Sequence, residues 1–323
     1  MKYFTHIDIK PLPRQIDYSS RIVSLGSCFA SNIALKLRDA KFNILASPTG
    51  ILFNPESIAS TINRLATNAA ITHSHLQHDG ELWFSYDFHS SFSSPSPEQA
   101  LASMQEALTH GAKALKEADT VIITFGTAWI YRLCTSGEVV ANCHKQPHKL
   151  FSRELLSVGE IVKNWSAILN THLGNKQVIF TVSPIRHLSD GLEQNSLSKA
   201  TLRLAIAKLT EKFSNACYFP SFEIMNDELR DYRFYADDMI HPSEVAIEHI
   251  WQRFVNVAIN QTAHTTMQQI AKLRQAAEHR PLKPESETFK NFCRSQLTII
   301  EQLQSQHPWM NFEEEKSHFC AHL

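Results

Sequence analysis

Short apolar runs rich in β-forming residues recur along the chain at Arg21–Leu25, Thr120–Phe125, Gln177–Val182 and around Cys217–Phe219. Between and after them lie stretches with apolar residues at helical spacing, at Ser31–Ala40, Glu98–Leu115, Val158–His172, Leu197–Phe213 and Ser243–Ile259. Continuous apolar runs suit strands covered on both faces. Their alternation with amphipathic helices predicts an α/β fold, a three-layer α/β/α sandwich around a mainly parallel sheet. Ser90–Pro97 reads as a loop, with Pro97-Glu98 starting a helix. After Asn260 two helices, Thr262–Glu278 and Glu287–Gln306, flank Pro281-Leu282-Lys283-Pro284, and no further strand is expected. The expected organisation is a core domain over residues 1–260 and a helical appendage over 261–323 packed on it. No internal repeat is visible.

Charge narrows the partners. With 31 Lys+Arg against 32 Asp+Glu in 323 residues, the formal net charge is -1. There is no global basic field to attract nucleic acid and no acidic excess. No run approaches the ~18 apolar residues of a membrane span, and Met1–His6 lacks the pattern of a secretory signal, so a cytoplasmic protein without a membrane partner is expected. Six scattered cysteines in a chain of this size read as reduced thiols. The pattern assigns no oligomeric state.

Chemistry concentrates in two places. Gly26-Ser27-Cys28-Phe29-Ala30 follows an apolar run and opens a helix, with small residues two before and two after Cys28. A sharp strand-to-helix turn needs that spacing, and a helix N-terminus favours negative charge, which lowers a thiol pKa. Cys28 is thus a candidate nucleophile, with a buried junction cysteine as the plainer reading; Ser27 competes as nucleophile or helix cap. Far downstream, Asp238-Met239-Ile240-His241-Pro242-Ser243 places a carboxylate three residues before a histidine. His241 can accept the Cys28 proton while Asp238 fixes its tautomer. A helix start, with Asp238 as its cap, is the alternative.

On the rim where strand ends should converge, Arg186 and His187 follow a strand. Arg186 can grip an anion or a sugar hydroxyl, or pair with Asp190 or the Asp227–Arg233 segment, itself read as an ion-pair network. Asn142-Cys143-His144-Lys145, with His148, reads as a substrate-binding or plain surface loop, and no metal site is expected because no second ligand pair stands at suitable spacing. Ser198-Lys199 reads as a helix cap and a solvated lysine.

Gly26-Ser27-Cys28-Phe29-Ala30 resembles the signature of the GSCFA family, which is grouped with the SGNH (GDSL-like) hydrolases. The resemblance extends through Thr124–Trp129, Asn142–Pro147, Ser183–His187 and Asp227–Tyr235, and covers roughly Arg21 to Phe254. It implies a flavodoxin-like three-layer sandwich, a nucleophile in the Gly-Asp-Ser position and a late Asp-x-x-His. Here Cys28 falls in the nucleophile's place and Ser27 where the superfamily has Asp, which favours a thiol acyl-enzyme over a serine ester. The superfamily's oxyanion glycine and asparagine have a counterpart in Gly50, but Ala128 stands in the asparagine's place within the Gly126 segment. Asn54, Asn142 and the Thr127 hydroxyl are the candidate replacements, and His144 a substrate contact. The implied activity is ester or thioester hydrolysis, or acyl transfer onto a small metabolite or saccharide. A non-catalytic binding protein is the rival. No resident cofactor is expected, although an acyl-thioester such as an acyl-CoA is a reasonable donor.

Overall fold

The computed structural model describes residues 5–323, the side chain of Asp190 excepted. Five parallel strands, Arg21–Gly26 (β1), Asn43–Ala46 (β2), Thr120–Phe125 (β3), Gln177–Val182 (β4) and Ala216–Tyr218 (β5), form one sheet in the order β5-β4-β3-β1-β2. This is the flavodoxin-like order, in which ligands sit beyond the carboxyl ends of the strands. Register brings those ends together, since Gly26 lies opposite Thr124 and Thr124 opposite Thr181. The loops at Ser27, Gly126 and Ser183 therefore share one rim.

The longer helices are Cys28–Asp39 (α1), Pro55–Thr67 (α2), Pro97–Glu117 (α3), Val158–Thr171 (α4), Leu192–Lys212 (α5), Glu244–Ala258 (α6), Gln261–Glu278 (α7), Glu287–Gln306 (α8) and Glu313–Cys320 (α9). Alternate strand residues point to opposite faces and divide the core in two. Val23, Leu25, Ile123, Phe125, Phe180 and Val182 pack under α2 to α5, while Ile22, Ile122 and Ile179 pack under α1 and α6. On the first face Trp165 of α4 lies edge-on to Phe125 and Phe180, with ring centroids 5.0 and 5.2 Å away.

The helices after residue 260 share the second core. Ile270, Leu273, Ile300, Leu303, Phe312 and Phe319 join the cluster of α1 and α6, and ion pairs Arg274–Asp39 (2.9 Å) and Lys41–Glu315 (2.8 Å) stitch the seam. No described helix is long and apolar enough to cross a membrane.

Several elements differ from the sequence expectation. Helix α1 begins at Cys28 rather than Ser31, because the chain turns within a single residue after β1. Gly26 makes that turn possible: its φ is +143°, and a Cβ there would collide with the Thr124 carbonyl oxygen. Helix α5 starts at Leu192 rather than Leu197. Strand β2 is only four residues long, too short to show a period. Helix α2 did carry a signal in Asn54-Pro55, whose asparagine caps Ser57 N–H and whose proline takes the first turn. An antiparallel sheet of Trp129–Leu133, Val139–Val140 and Phe151–Leu155 was also not foreseen; it is inserted between β3 and α4 and begins three residues beyond Gly126.

Candidate functional site

Cys28 is the first residue of α1 and half-buried. Its Sγ lies 3.8 Å from His241 Nε2, a hydrogen-bond contact for sulfur, across 213 residues of sequence. His241 Nδ1 is 2.6 Å from Asp238 Oδ2. The other carboxylate oxygen, Asp238 Oδ1, accepts the backbone N–H groups of Ile240 and His241, both at 2.9 Å. These bonds hold the Asp238 carboxyl well below its ordinary range, at about 2, even though it is exposed. The helix after this loop is capped by Ser243, whose Oγ accepts Ala246 N–H, so Asp238 is not the helix cap.

Burial pushes the Cys28 thiol above its ordinary pKa, against the lowering from the backbone N–H groups of Cys28 and Phe29 and the charge of Lys199. The lowered thiol pKa expected from the helix N-terminus is therefore corrected: desolvation outweighs the terminal amides. The sulfur rests as a thiol facing an imidazole. Ser27 Oγ is buried without a hydrogen-bond partner and does not cap α1.

Lys199 corrects a second expectation. Instead of a solvated side chain it is buried, and its Nζ donates to the carbonyls of Gly126 (2.6 Å) and Ser183 (2.7 Å). It thereby ties together the loops that leave β3 and β4. Burial depresses its pKa from 10.5 to about 7. The adjacent Ser198, also buried, accepts Ala128 N–H at 2.8 Å and shares a hydrogen bond with the Thr127 hydroxyl at 3.0 Å. Both residues sit well inside α5, whose early start the sequence pattern concealed.

The candidate oxyanion groups divide clearly. Gly50 N–H donates to Ser47, and the N–H groups of Gly126 and Thr127 both donate to Phe53, so all three amides are committed. The Thr127 hydroxyl accepts Trp129 N–H in addition to its bond with Ser198. Asn54 and Asn142 spend their carbonyl oxygens on Ser57 N–H and His144 N–H, both at 2.8 Å, which leaves their amide nitrogens. The N–H groups of Cys28 and Phe29, which touch the sulfur, are donors that motif reasoning missed. The signal for them was the onset of helix at Cys28 itself, where the first four N–H groups lack helical partners.

His144 faces away from the pair. Its Nε2 lies 2.9 Å from the Ser85 carbonyl and 3.0 Å from that of Phe88, its ring stacks on Phe84, and burial lowers its pKa. His187 lies on the rim, half-buried, with its pKa pushed down to about 4 by burial and by Lys199. Arg186 packs its guanidinium 4.1 Å from the Tyr235 ring centroid, and its backbone N–H reaches Ile240 of the Asp238 loop. Its expected pairing with Asp190 falls on a side chain outside the described residues. In the Asp227–Arg233 segment, Arg233 pairs with Asp231 at 3.1 Å, and buried Glu228 binds His249 at 2.8 Å. No group of three or more metal-ligating side chains is found among the described residues.

A cleft of ≈ 270 Å³ is walled by Phe53, Asn54, Thr127, Trp129, Asn142 and His187. Its nearest tie to the pair is His187, whose pKa is lowered in part by the charge of His241. A larger cleft of ≈ 550 Å³ lies between α2 and the Ser85–Phe88 segment, away from the pair.

Comparison with curated proteins yields no match that would lend this chain an activity. Residues 270–323 match the family model described as the GSCFA domain protein, C-terminal domain. Residues 21–254, which hold the Cys28 turn, the Lys199 tie and the Asp238–His241 loop, match the model of the GSCFA family. The chain belongs to the GSCFA family.

Proposed function

We propose that this protein is an acyl-handling enzyme with Cys28 as nucleophile, His241 as general base and Asp238 as orienter, on a scaffold related to the SGNH hydrolases. The contact between Cys28 Sγ and His241 Nε2, with His241 in turn bonded to Asp238, is the observation that carries this reading. Because the sulfur rests protonated, His241 Nε2 takes the thiol proton as Sγ attacks an ester or thioester carbonyl. The carbonyl electron pair moves to oxygen, where the Cys28 and Phe29 N–H groups and Asn54 Nδ2 are the available donors. Each such donor is worth about 2.7–4 kcal/mol of barrier. Collapse of the tetrahedral adduct expels the alkoxide or thiolate, which receives the proton from His241. The acyl group then passes from sulfur to water or to an acceptor hydroxyl, on a small metabolite or a saccharide. An acyl-thioester donor is well matched, since its transfer to Cys28 exchanges one thioester for another. Six unpaired cysteines support placement in a reducing compartment such as the cytoplasm.

A second reading, a binding protein without turnover, is favoured by one observation: the amides of Gly50, Gly126 and Thr127 are all occupied. The two readings separate on incubation with aryl esters and acyl thioesters followed by intact-mass and peptide mass spectrometry. An acyl adduct on Cys28, absent in Cys28→Ala and retained in Ser27→Ala, supports the enzyme. An adduct that survives Cys28→Ala and vanishes in Ser27→Ala reverses the nucleophile, and no adduct with any donor favours the binding protein.

A further inference from the structure

The larger cleft, of ≈ 550 Å³, lies within the usual size of a small-ligand site. Four segments build it: the loop after β2 through Thr49, α2 through Glu56 and Arg64, the Ser85–Phe88 segment, and the inserted antiparallel sheet through Val139 and Val140. Ser57, Ser60 and Thr61 of α2 add hydroxyls to its wall. Tyr86 ties the third segment to the fourth, since its carbonyl accepts the N–H groups of Ala141 and Asn142. Its ring is fixed edge-on to Phe84 and Phe151, with centroids 5.2 and 5.8 Å away. Arg64 Nη2 donates to Asp87 Oδ2 at 2.8 Å, which leaves further guanidinium N–H groups and the other carboxylate oxygen in the same wall. His75 Nδ1 accepts Thr72 N–H at 3.1 Å, so its neutral ring carries the proton on Nε2. Thr49 is 1% exposed, and its hydroxyl has no hydrogen-bond partner. Folded proteins keep few such groups, and one that lines a cleft is explained by a ligand that completes it.

We propose that this cleft binds a neutral saccharide, held by the Thr49 hydroxyl, the Arg64–Asp87 pair and the face of the Tyr86 ring. The wall presents donors and acceptors side by side, and a sugar hydroxyl both donates and accepts at one atom. Adjacent sugar hydroxyls accept from the guanidinium while donating to the carboxylate, with charge-assisted bonds in both directions. The C–H face of the sugar ring lies against Tyr86, which offers an apolar body and a polar tip. An anion is disfavoured, because Glu56, Asp87 and Glu138 line this space with a single guanidinium among them. A cation leaves the Arg64 and His75 N–H groups without acceptors. Neither Cys28 nor His241 lines the cleft, so the inference goes beyond the acyl-handling reading and does not rest on it.

The test is saturation-transfer NMR followed by calorimetric titration of the full chain with glucose, galactose, N-acetylglucosamine, maltose and cellobiose. Glucuronate and spermidine serve as the charged comparisons, and Thr49→Val, Asp87→Asn and Tyr86→Leu as the variants. Expected is saturable binding of at least one neutral sugar, weakened at least about tenfold in Asp87→Asn and by about threefold or more in Thr49→Val and Tyr86→Leu. Thr49→Val keeps the shape of the side chain and removes a hydroxyl that the free protein leaves unpaired. Without sugar it should therefore unfold about 2 °C higher than the parent chain, so its weaker binding cannot come from a damaged fold. No signal from any of the five sugars, preference for glucuronate or spermidine, or affinity indifferent to both Thr49→Val and Asp87→Asn overturns the proposal. Sugar binding without an acyl adduct on Cys28 supports this inference and removes the acyl-handling reading, whereas an adduct without sugar binding does the reverse.

Discussion

Two half-buried thiols border the same rim, and their neighbours have opposite fates. Cys143 is followed directly by a histidine, yet His144 turns its Nε2 to the carbonyls of Ser85 and Phe88. Burial alone acts on the Cys143 thiol and pushes it up to about 11. Cys28 meets a histidine 213 residues away at 3.8 Å, touches two helix N-terminal amides and lies within the field of a buried lysine. The comparison shows that the surroundings of a sulfur are set by what converges on it across the strand ends rather than by its neighbour in the chain.

The comparison breaks most sharply at the sulfur itself. Cys28→Ala should cut turnover of a responsive aryl ester or thioester by about 10³-fold or more, whereas Cys143→Ala should leave it within a factor of two. Steady-state kinetics on both variants checks this, and comparable losses would erase the distinction. Replacing the imidazole comes next: His241→Ala should lower kcat by about 10²–10⁴-fold and remove the contrast between the two thiols in iodoacetamide labelling. Asp238→Asn should act in the same direction by disturbing the tautomer. Since the Asp238 carboxyl titrates at about 2, the acid limb of a pH–rate profile should not inflect in the ordinary carboxylate range.

Lys199 belongs to the Cys28 region alone and sharpens the comparison through pH. Its folded pKa of about 7 lies below the 10.5 of an unperturbed lysine, so between these values the unfolded chain binds a proton that the folded chain has released. Stability should therefore rise with pH across that window, by at most ~1.4 kcal/mol per pH unit, relative to Lys199→Met. Urea unfolding at pH 7 and pH 9.5 measures the difference, and parallel curves for the two proteins would refute it. Lys199→Met should also slow labelling of Cys28 near neutral pH while leaving Cys143 unaffected, because one nearby positive charge is lost. The smallest effect is on the other side of the comparison: His144→Ala should cost about 1–3 kcal/mol of stability through two unpaired carbonyls, with acylation of Cys28 intact.

The sheet and most helices were legible because burial on both faces leaves unbroken apolar runs, as in Thr120–Phe125 and Gln177–Val182. Strand β2 and the inserted antiparallel sheet were not, since short, half-exposed strands are held by partners distant in sequence and leave little local pattern. The turn at Gly26 and the Asp238–His241 spacing were readable for the same reason as the strands: both are fixed by short-range backbone geometry. Lys199 was misread because its environment is made by the ends of β3 and β4, neither of which adjoins it in the chain.

The amino-acid order by itself determined the layering of the protein, the position of the Cys28 turn and the carboxylate–imidazole pair, each a consequence of periodicity or spacing over a few residues. Only the tertiary structure decided which histidine serves which cysteine, which amides are already spent, and that desolvation raises the Cys28 thiol against the pull of its helix. Those outcomes depend on distances between segments and on how much water remains around each group, and neither quantity is encoded in any local stretch of the chain.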